Sequence, residues 1–254
     1  MSFASKALVS EVTGALTRPY RVTLSMVTLI ALVPFYIFIG VANAGRPHHT
    51  PVIGLDAMIP LAPVWSLIYG ALYLFLIVLP VVAIWNEDLI RRTVRAYLSI
   101  WLTAYAVFLL YPTVAPRPDG DIVPGTGFGA WGLRLLYDMD PPVNCFPSLH
   151  VAHSFVGAFA VWRMHRRLGV IAIGCAASVG LSTLFTKQHY VLDVIGGFVL
   201  AYVPYFIFMR PFARETAGEQ ERRVAPAVAL ILMAGIGLLV AIAFGFFTAG
   251  VRFS

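Results

Sequence analysis

The chain has 254 residues, of which 59% are hydrophobic and 12% charged, with a formal net charge of +6. A water-facing domain carries about 25% charged residues, so this composition excludes a soluble globular surface and points to lipid as the main solvent. The positive excess reads as membrane topology rather than nucleic-acid binding, because no basic run carries the interleaved aromatic residues that stack bases.

A membrane-crossing helix needs about 20 mostly apolar residues. Seven stretches qualify or come close: 20–42, 64–85, 94–113, 148–162, 168–186, 189–209 and 225–248. After the first, Ala42-Asn43-Ala44 resembles a signal-peptidase site. The preceding apolar run is longer than the ~7–15 residues of a signal peptide, so a retained helix is expected. Between the third and fourth stretches, residues 119–142 carry Asp119, Asp121, Asp138 and Asp140. A short amphipathic helix at 131–137, lying on the membrane surface, is expected there, with a solvated loop as the alternative. Cys145 falls in a loop and Cys175 in an apolar run, so both read as packing residues and not as a disulfide framework. The glycines Gly196, Gly197, Gly235 and Gly237 read as places of close helix approach. No internal repeat is visible. The expected architecture is one integral membrane domain, an all-α polytopic bundle.

Orientation follows from the basic residues. With the N-terminus in the cytoplasm and seven crossings, thirteen lysines and arginines fall inside and five outside. The inner set is Lys6, Arg18, Arg21, Arg91, Arg92, Arg95, Arg163, Arg166, Arg167, Arg210, Arg214, Arg222 and Arg223; the outer set is Arg46, Arg117, Arg134, Lys187 and Arg252. That asymmetry matches the enrichment of basic residues in cytoplasmic loops.

The chemistry-bearing residues fall on the outer side. His189 and Asp193 are four apart, so they share a helical face about 6 Å apart along the axis. A carboxylate within a spanning helix costs about 2.5–3.5 kcal/mol at the centre and is normally paired. His189 is the nearest partner, and a carboxylate that orients an imidazole suits it for nucleophilic attack; a helix-end aspartate reaching for water is the alternative. Pro147 and Ser148 form a helix start with Ser148 as N-cap, and the free N–H groups of such a start suit phosphate. His150 sits in that first turn, where it serves either as a proton donor to a leaving oxygen or as a capped interfacial residue. Arg117, in a proline-flanked turn, suits bidentate phosphate binding or interfacial anchoring. Lys187 reads equally as a second phosphate donor or as a snorkelling lysine.

Taken together, Arg117-Pro118, then Pro147-Ser148-Leu149-His150, then Ser182, His189 and Asp193 resemble the type 2 phosphatidic acid phosphatase superfamily over about residues 100–200. That family shows Lys-x6-Arg-Pro, Pro-Ser-Gly-His and Ser-Arg-x5-His-x3-Asp. Here Leu110 and Thr183 stand where its lysine and second arginine would fall, and Leu149 replaces its glycine. The Phe-Pro-Ser-Leu-His and Thr-Lys-Gln-His-Tyr runs are more similar to the inositolphosphotransferase and inositol phosphorylceramide synthase branch. The resemblance implies a six-helix core with the catalytic part at about 94–210, and the apolar stretch at about 225–248 adds a C-terminal membrane helix beyond the motifs. It implies a phosphohistidine on His189, Asp193 orienting it, and His150 as acid and base. Arg117, Lys187, Ser148 and, more weakly, Ser182 would bind the phosphate. No metal or other cofactor is implied. The partners would be a phospholipid or polyprenyl phosphate, with a lipid alcohol or water as acceptor, in a bacterial inner membrane with the site on the periplasmic face.

Two other readings share these residues. His150, His153, His189 and Asp193, with His48 and His49 nearby, could ligate a metal for hydrolysis. Intramembrane ionisable residues also mark transport paths, although the candidates here gather at one face.

Overall fold

The computed structural model describes residues 19–118 and 122–251, with side chains from residue 30 onward. Lys6, Arg18, Asp119, Asp121, Arg252 and the side chain of Arg21 lie outside the described residues. Eight α-helices follow in order: α1 Pro19–Asn43, α2 Trp65–Ala83, α3 Glu87–Leu110, α4 Phe128–Met139, α5 Leu149–Met164, α6 Arg166–Phe185, α7 Val191–Pro204 and α8 Glu219–Thr248. A π-helical turn, Tyr205–Met209, prolongs α7, and 3-10 turns occupy Gly54–Met58 and Arg214–Thr216. No strand forms among the described residues; two isolated bridges join His49 to Thr113 and Val114 to Val143.

Each of the seven expected stretches has a helix, and the amphipathic segment expected at 131–137 is α4. The count of crossings needs correction. Among the described residues five helices are long and apolar enough to span a membrane: α2, α3, α6, α7 with its π turn, and α8. Side chains of α1 are described only over Ile30–Asn43, which is apolar, and α5 has only 16 residues, about 24 Å against a hydrocarbon thickness of about 30 Å. The reason is the position of α5. It packs against α2, α3, α6 and α7, and Val151, Ala152, Val156, Ala158, Ala160 and Val161 on it are fully buried. A helix walled by protein need not match the lipid.

Two helices begin earlier than hydropathy alone places them. At α3, the Asn86 side chain accepts the Leu89 N–H at 3.1 Å, and Glu87 and Asp88 in the first turn complement the positive helix end. At α8, Glu221 accepts N–H bonds from Trp85 (2.6 Å) and Asn86 (3.1 Å), tying the start of α8 to the α2–α3 turn. Polar caps are invisible to an apolar count.

The glycine expectations divide. A Cβ on Gly197 would lie 2.4 Å from the Ser148 carbonyl oxygen, and one on Gly196 would lie 2.9 Å from the Phe146 ring. These two glycines seat α7 against the start of α5. Gly235 and Gly237 on α8 meet nothing within 4 Å and are not close-approach points.

Candidate active site

The turn from α6 to α7 delivers His189. The Thr183 carbonyl accepts both the Gln188 N–H (2.9 Å) and the His189 N–H (3.2 Å), and Lys187 adopts a left-handed φ of 54°, the conformation that commonly ends a helix. Asp56, from the Gly54–Met58 turn, caps α7 by accepting the Val191 N–H at 2.9 Å. Asp193 Oδ2 accepts the Tyr190 N–H at 2.9 Å. On the facing segment, the Ser148 side chain caps α5 by accepting the Val151 N–H at 3.3 Å. The Ser148 N–H donates to the Asp193 carbonyl at 3.0 Å. One peptide hydrogen bond therefore joins the two histidine-bearing segments.

The result is a line of four side chains. His189 Nδ1 lies 3.3 Å from Asp193 Oδ2. Its Nε2 faces His150 Nδ1 at 3.2 Å. His150 Nε2 lies 3.8 Å from Asp140 Oδ2, and Tyr36 donates its hydroxyl to Asp140 Oδ1 at 3.3 Å. Asp193 is fully buried and His189 is 5% exposed. The tautomer that gives its Nδ1–H to Asp193 puts the His189 lone pair on Nε2, the atom that faces His150 Nδ1. The rings of Tyr73 and Tyr69 meet the His150 ring edge-on at 5.0 and 5.3 Å. A cavity of about 140 Å³ opens beside the line, walled by His150, His189, Gln188, Asp140, Tyr73 and Cys145 among others.

The other expected residues have separate positions. Arg117 lies behind Gln188. It donates to the Gln188 Oε1 at 2.6 Å, to the Tyr137 carbonyl at 3.2 Å and to the Asp140 carbonyl, with its guanidinium 4.1 Å over the Tyr137 ring. It braces the cavity wall through these contacts. Lys187 is directed away from the histidines: its Nζ donates to the carbonyls of Ile59 at 2.6 Å and Asp56 at 3.4 Å. The left-handed backbone at Lys187 turns the side chain toward the Gly54–Met58 segment. Ser182 is buried and donates back to the Val179 carbonyl at 2.6 Å, within its own helix. Leu110 is 81% exposed, so that register points out of the bundle. Thr183 is buried and shapes the turn before His189.

His153 does not join His150. It lies one turn deeper, 2% exposed and stacked on Tyr97 at 4.4 Å. His49 stacks on Tyr111 at 4.2 Å. Among the described residues no group of three or more His, Cys, Asp or Glu side chains is arranged to hold a metal ion, which takes away the four-ligand set that the sequence allowed. Cys145 lines the cavity, but burial, with Asp193 and Asp140 beside it, pushes its thiol up, so the neutral form persists.

Gln188, Asp140 and Asp56 are the site residues that sequence reasoning missed. Gln188 is a neutral amide with no charge signal, although it sits between Lys187 and His189. Asp140 lies in an acidic loop with no spacing that ties it to His150. Asp56 caps α7 from 135 residues away in the chain.

The fold and the site define an integral membrane protein whose helices carry a His–His–Asp line at one end of the bundle. Residues 46–207 match the PAP2 superfamily, and the chain belongs to that family. The matched segment takes in α2 to α7. The chain is also similar to a PA-phosphatase related-family protein of Dictyostelium discoideum, 23% identical over 134 residues, which cover 49% of this chain and 23% of that protein. The chain thus spans less than a quarter of that relative's length. No solved structure matches.

Proposed function

We propose that this protein is a membrane lipid phosphatase or phosphotransferase that cleaves a phosphoester of a lipid-linked phosphate through a phosphohistidine. The observation that carries the reading is the alignment of Asp193, His189 and His150 through opposite nitrogens of one imidazole, at 3.3 and 3.2 Å. In the first step the lone pair on His189 Nε2 attacks phosphorus and the bond to the departing lipid oxygen breaks. His150 gives that oxygen its proton, and Asp193 stabilises the charge on the His189 ring. In the second step His150 takes a proton from water or a lipid alcohol, whose oxygen attacks phosphorus as the P–N bond breaks. The Leu149 and His150 N–H groups at the start of α5, which have no intrahelical partner, and the Gln188 amide backed by Arg117 face the developing oxyanion. The scheme uses no metal or other cofactor.

A lipid substrate is supported by a second cavity of about 280 Å³ between α2, α4 and α8, lined by Leu67, Leu74, Leu136, Ile236 and Leu239 among others. Tyr69 also lines it and touches the His150 ring, so an apolar chain held there brings its polar end to the histidines. Transfer of a phospho-headgroup to a lipid alcohol, as in the inositolphosphotransferase-like branch, is favoured over hydrolysis of a monoester by the charge balance. Leu110 and Thr183 replace two cations, and Lys187 is engaged elsewhere. A phosphodiester, with one negative charge, needs fewer cations than a phosphomonoester. In this reading the bundle is a six-helix core with α8 added, the N-terminus is cytoplasmic, and the site opens at the periplasmic face of a bacterial inner membrane.

The test is incubation of the purified protein with labelled phosphatidic acid, polyprenyl diphosphate and phosphatidylinositol, each with and without diacylglycerol or ceramide. Release of free phosphate marks hydrolysis, and a new phospholipid marks transfer. Turnover of none of these, or full turnover by His189→Ala, overturns the proposal.

A further inference from the structure

At the end of the bundle opposite the histidines, where α5 gives way to α6, a cavity of about 610 Å³ is rimmed by Arg166, Arg167, Arg214, Arg222 and His165 and floored by apolar residues including Leu168 and Ile171. It lies roughly 20 Å along α5 from His150. No carboxylate lines it among the described residues. Glu221, beside Arg222 on α8, is turned to the Trp85 and Asn86 N–H groups.

The cations are gathered by structure, not scattered along a loop. Arg214 donates to the Trp162 carbonyl at 2.9 Å. Arg222 donates to the carbonyls of Arg214 (3.1 Å) and Ala217 (2.7 Å). The Arg166 guanidinium sits over the Trp162 ring at 5.5 Å. Arg166 and Arg167 are the first residues of α6, whose first turn has no acid, so two positive charges stand at the positive end of a helix. His165 caps that helix by accepting the Leu168 N–H at its Nδ1, 3.1 Å away. The potential is felt locally. Partial burial and then Arg166 and Arg163 lower the pKa of Arg214, while Glu215 acts in the opposite sense. Arg167, Arg214 and Arg222 add to the effect of burial in lowering that of His165. The Arg214 Nε is buried with no acceptor. Convergent arginines at a helix N-terminus are the chemistry of a phosphate site. The floor adds a second requirement. Ile171 is 58% exposed, an apolar surface that suits a ligand whose phosphate is followed by an apolar portion.

We propose that this cavity binds the phosphate of an anionic phospholipid, separately from the catalytic pocket and independently of the reaction assigned to it. Such a lipid would neutralise the arginine cluster and clamp the α5–α6 turn to the Arg214–Thr216 segment and α8.

The test uses the full chain reconstituted in membranes of equal phosphatidylcholine and phosphatidylglycerol, with retained lipid counted by native mass spectrometry. The probe variants are R166Q/R167Q, whose side chains hold no structural carbonyl, and R91Q/R95Q, an equal charge loss on exposed positions of α3 at the same end. The wild type and R91Q/R95Q are expected to retain one phosphatidylglycerol, and R166Q/R167Q to bind it roughly thirtyfold more weakly, with unchanged basal turnover in neutral lipid. A lipid held only in the catalytic pocket would persist in R166Q/R167Q and so overturn the assignment. Equal retention of the two lipids, or equal loss in the two double variants, would overturn it too. Saturation by millimolar inorganic phosphate with no lipid retained would assign the cavity to a free anion instead.

Discussion

Asp140 stands across His150 from His189: its Oδ2 lies 3.8 Å from His150 Nε2, while Nδ1 of the same ring faces His189 Nε2 at 3.2 Å. The imidazole is held between this carboxylate and the His189 ring, and Tyr36 fixes the carboxylate by its hydroxyl. Asp140→Asn is expected to lower kcat by roughly 10- to 100-fold, part of the 10²–10⁴ that a positioned acid–base residue supplies, with KM little changed. Tyr36→Phe should lower kcat less. Steady-state kinetics check both, and an unaltered kcat in Asp140→Asn removes that residue from the mechanism.

Asp193 should act through His189 and not on the substrate. Asp193→Asn keeps the shape but lets the amide present an N–H to the ring, favouring the wrong tautomer; a loss of about 10³–10⁴ in kcat is expected. His189→Ala should be inactive and fail to form an acid-labile, alkali-stable phosphoenzyme after rapid quenching with labelled substrate. His150→Ala should still form that adduct when the leaving group needs no proton, as with a nitrophenyl phosphodiester.

Arg117 and Lys187 separate function from scaffold. Arg117→Ala releases three oxygens from one guanidinium. It should cost about 2–4 kcal/mol of stability and at least roughly tenfold in kcat/KM through Gln188. Gln188→Ala should reproduce the kinetic loss with less change in Tm. Lys187→Met should lower Tm and leave kcat and KM within about twofold, since its amine serves Ile59 and Asp56. A large kinetic loss in Lys187→Met would return it to the phosphate site.

Cys145 sits at the cavity wall, 3% exposed, with its thiol pushed above the ordinary value of 9.0. Only the thiolate is alkylated readily. Iodoacetamide at pH 7 should therefore modify Cys145 at least roughly tenfold more slowly than an unperturbed thiol, with the rate still climbing, not levelling off, as the pH passes 9.0. Intact-mass analysis of a Cys175→Ala background reads this directly.

Gly197→Ala places a methyl 2.4 Å from the Ser148 carbonyl. Because that contact is with backbone, the helices must part, at about 1–3 kcal/mol. Activity should fall more steeply than stability, while Gly235→Ala, with open space around it, should alter neither.

The contrast between these residues shows what a linear reading reaches. The His189–Asp193 pair was legible because the two are one helical turn apart, whereas the approach of His150 to His189 depends on tertiary packing that the Ser148 N–H to Asp193 carbonyl bond secures. Asp56 and Asp140 were not legible, because their partners are fixed by tertiary packing. Lys187 misled for a related reason: its position beside His189 is fixed by sequence, but its left-handed backbone, set by the end of α6, decides where the amine goes. The helices themselves were readable from apolar runs, and their starts were not, since Asn86 and Glu221 act through hydrogen bonds that hydropathy does not record. The central α5 was expected as one crossing among seven; its shortness follows from burial by neighbours.

That shortness has a consequence for where the reaction occurs. A helix of about 24 Å inside a layer of about 30 Å leaves a few ångströms to be made up, so at least one of its ends is recessed below the headgroups. If the recess falls at the His150 end, the longer helices around it form the rim of a well, wet at the bottom and oil-proof at the sides. A lipid phosphate would then sink to meet the imidazoles instead of drawing them up to it. Host membranes with shorter or longer acyl chains would set the depth of that well, making bilayer thickness a control on turnover that no residue in the pocket encodes.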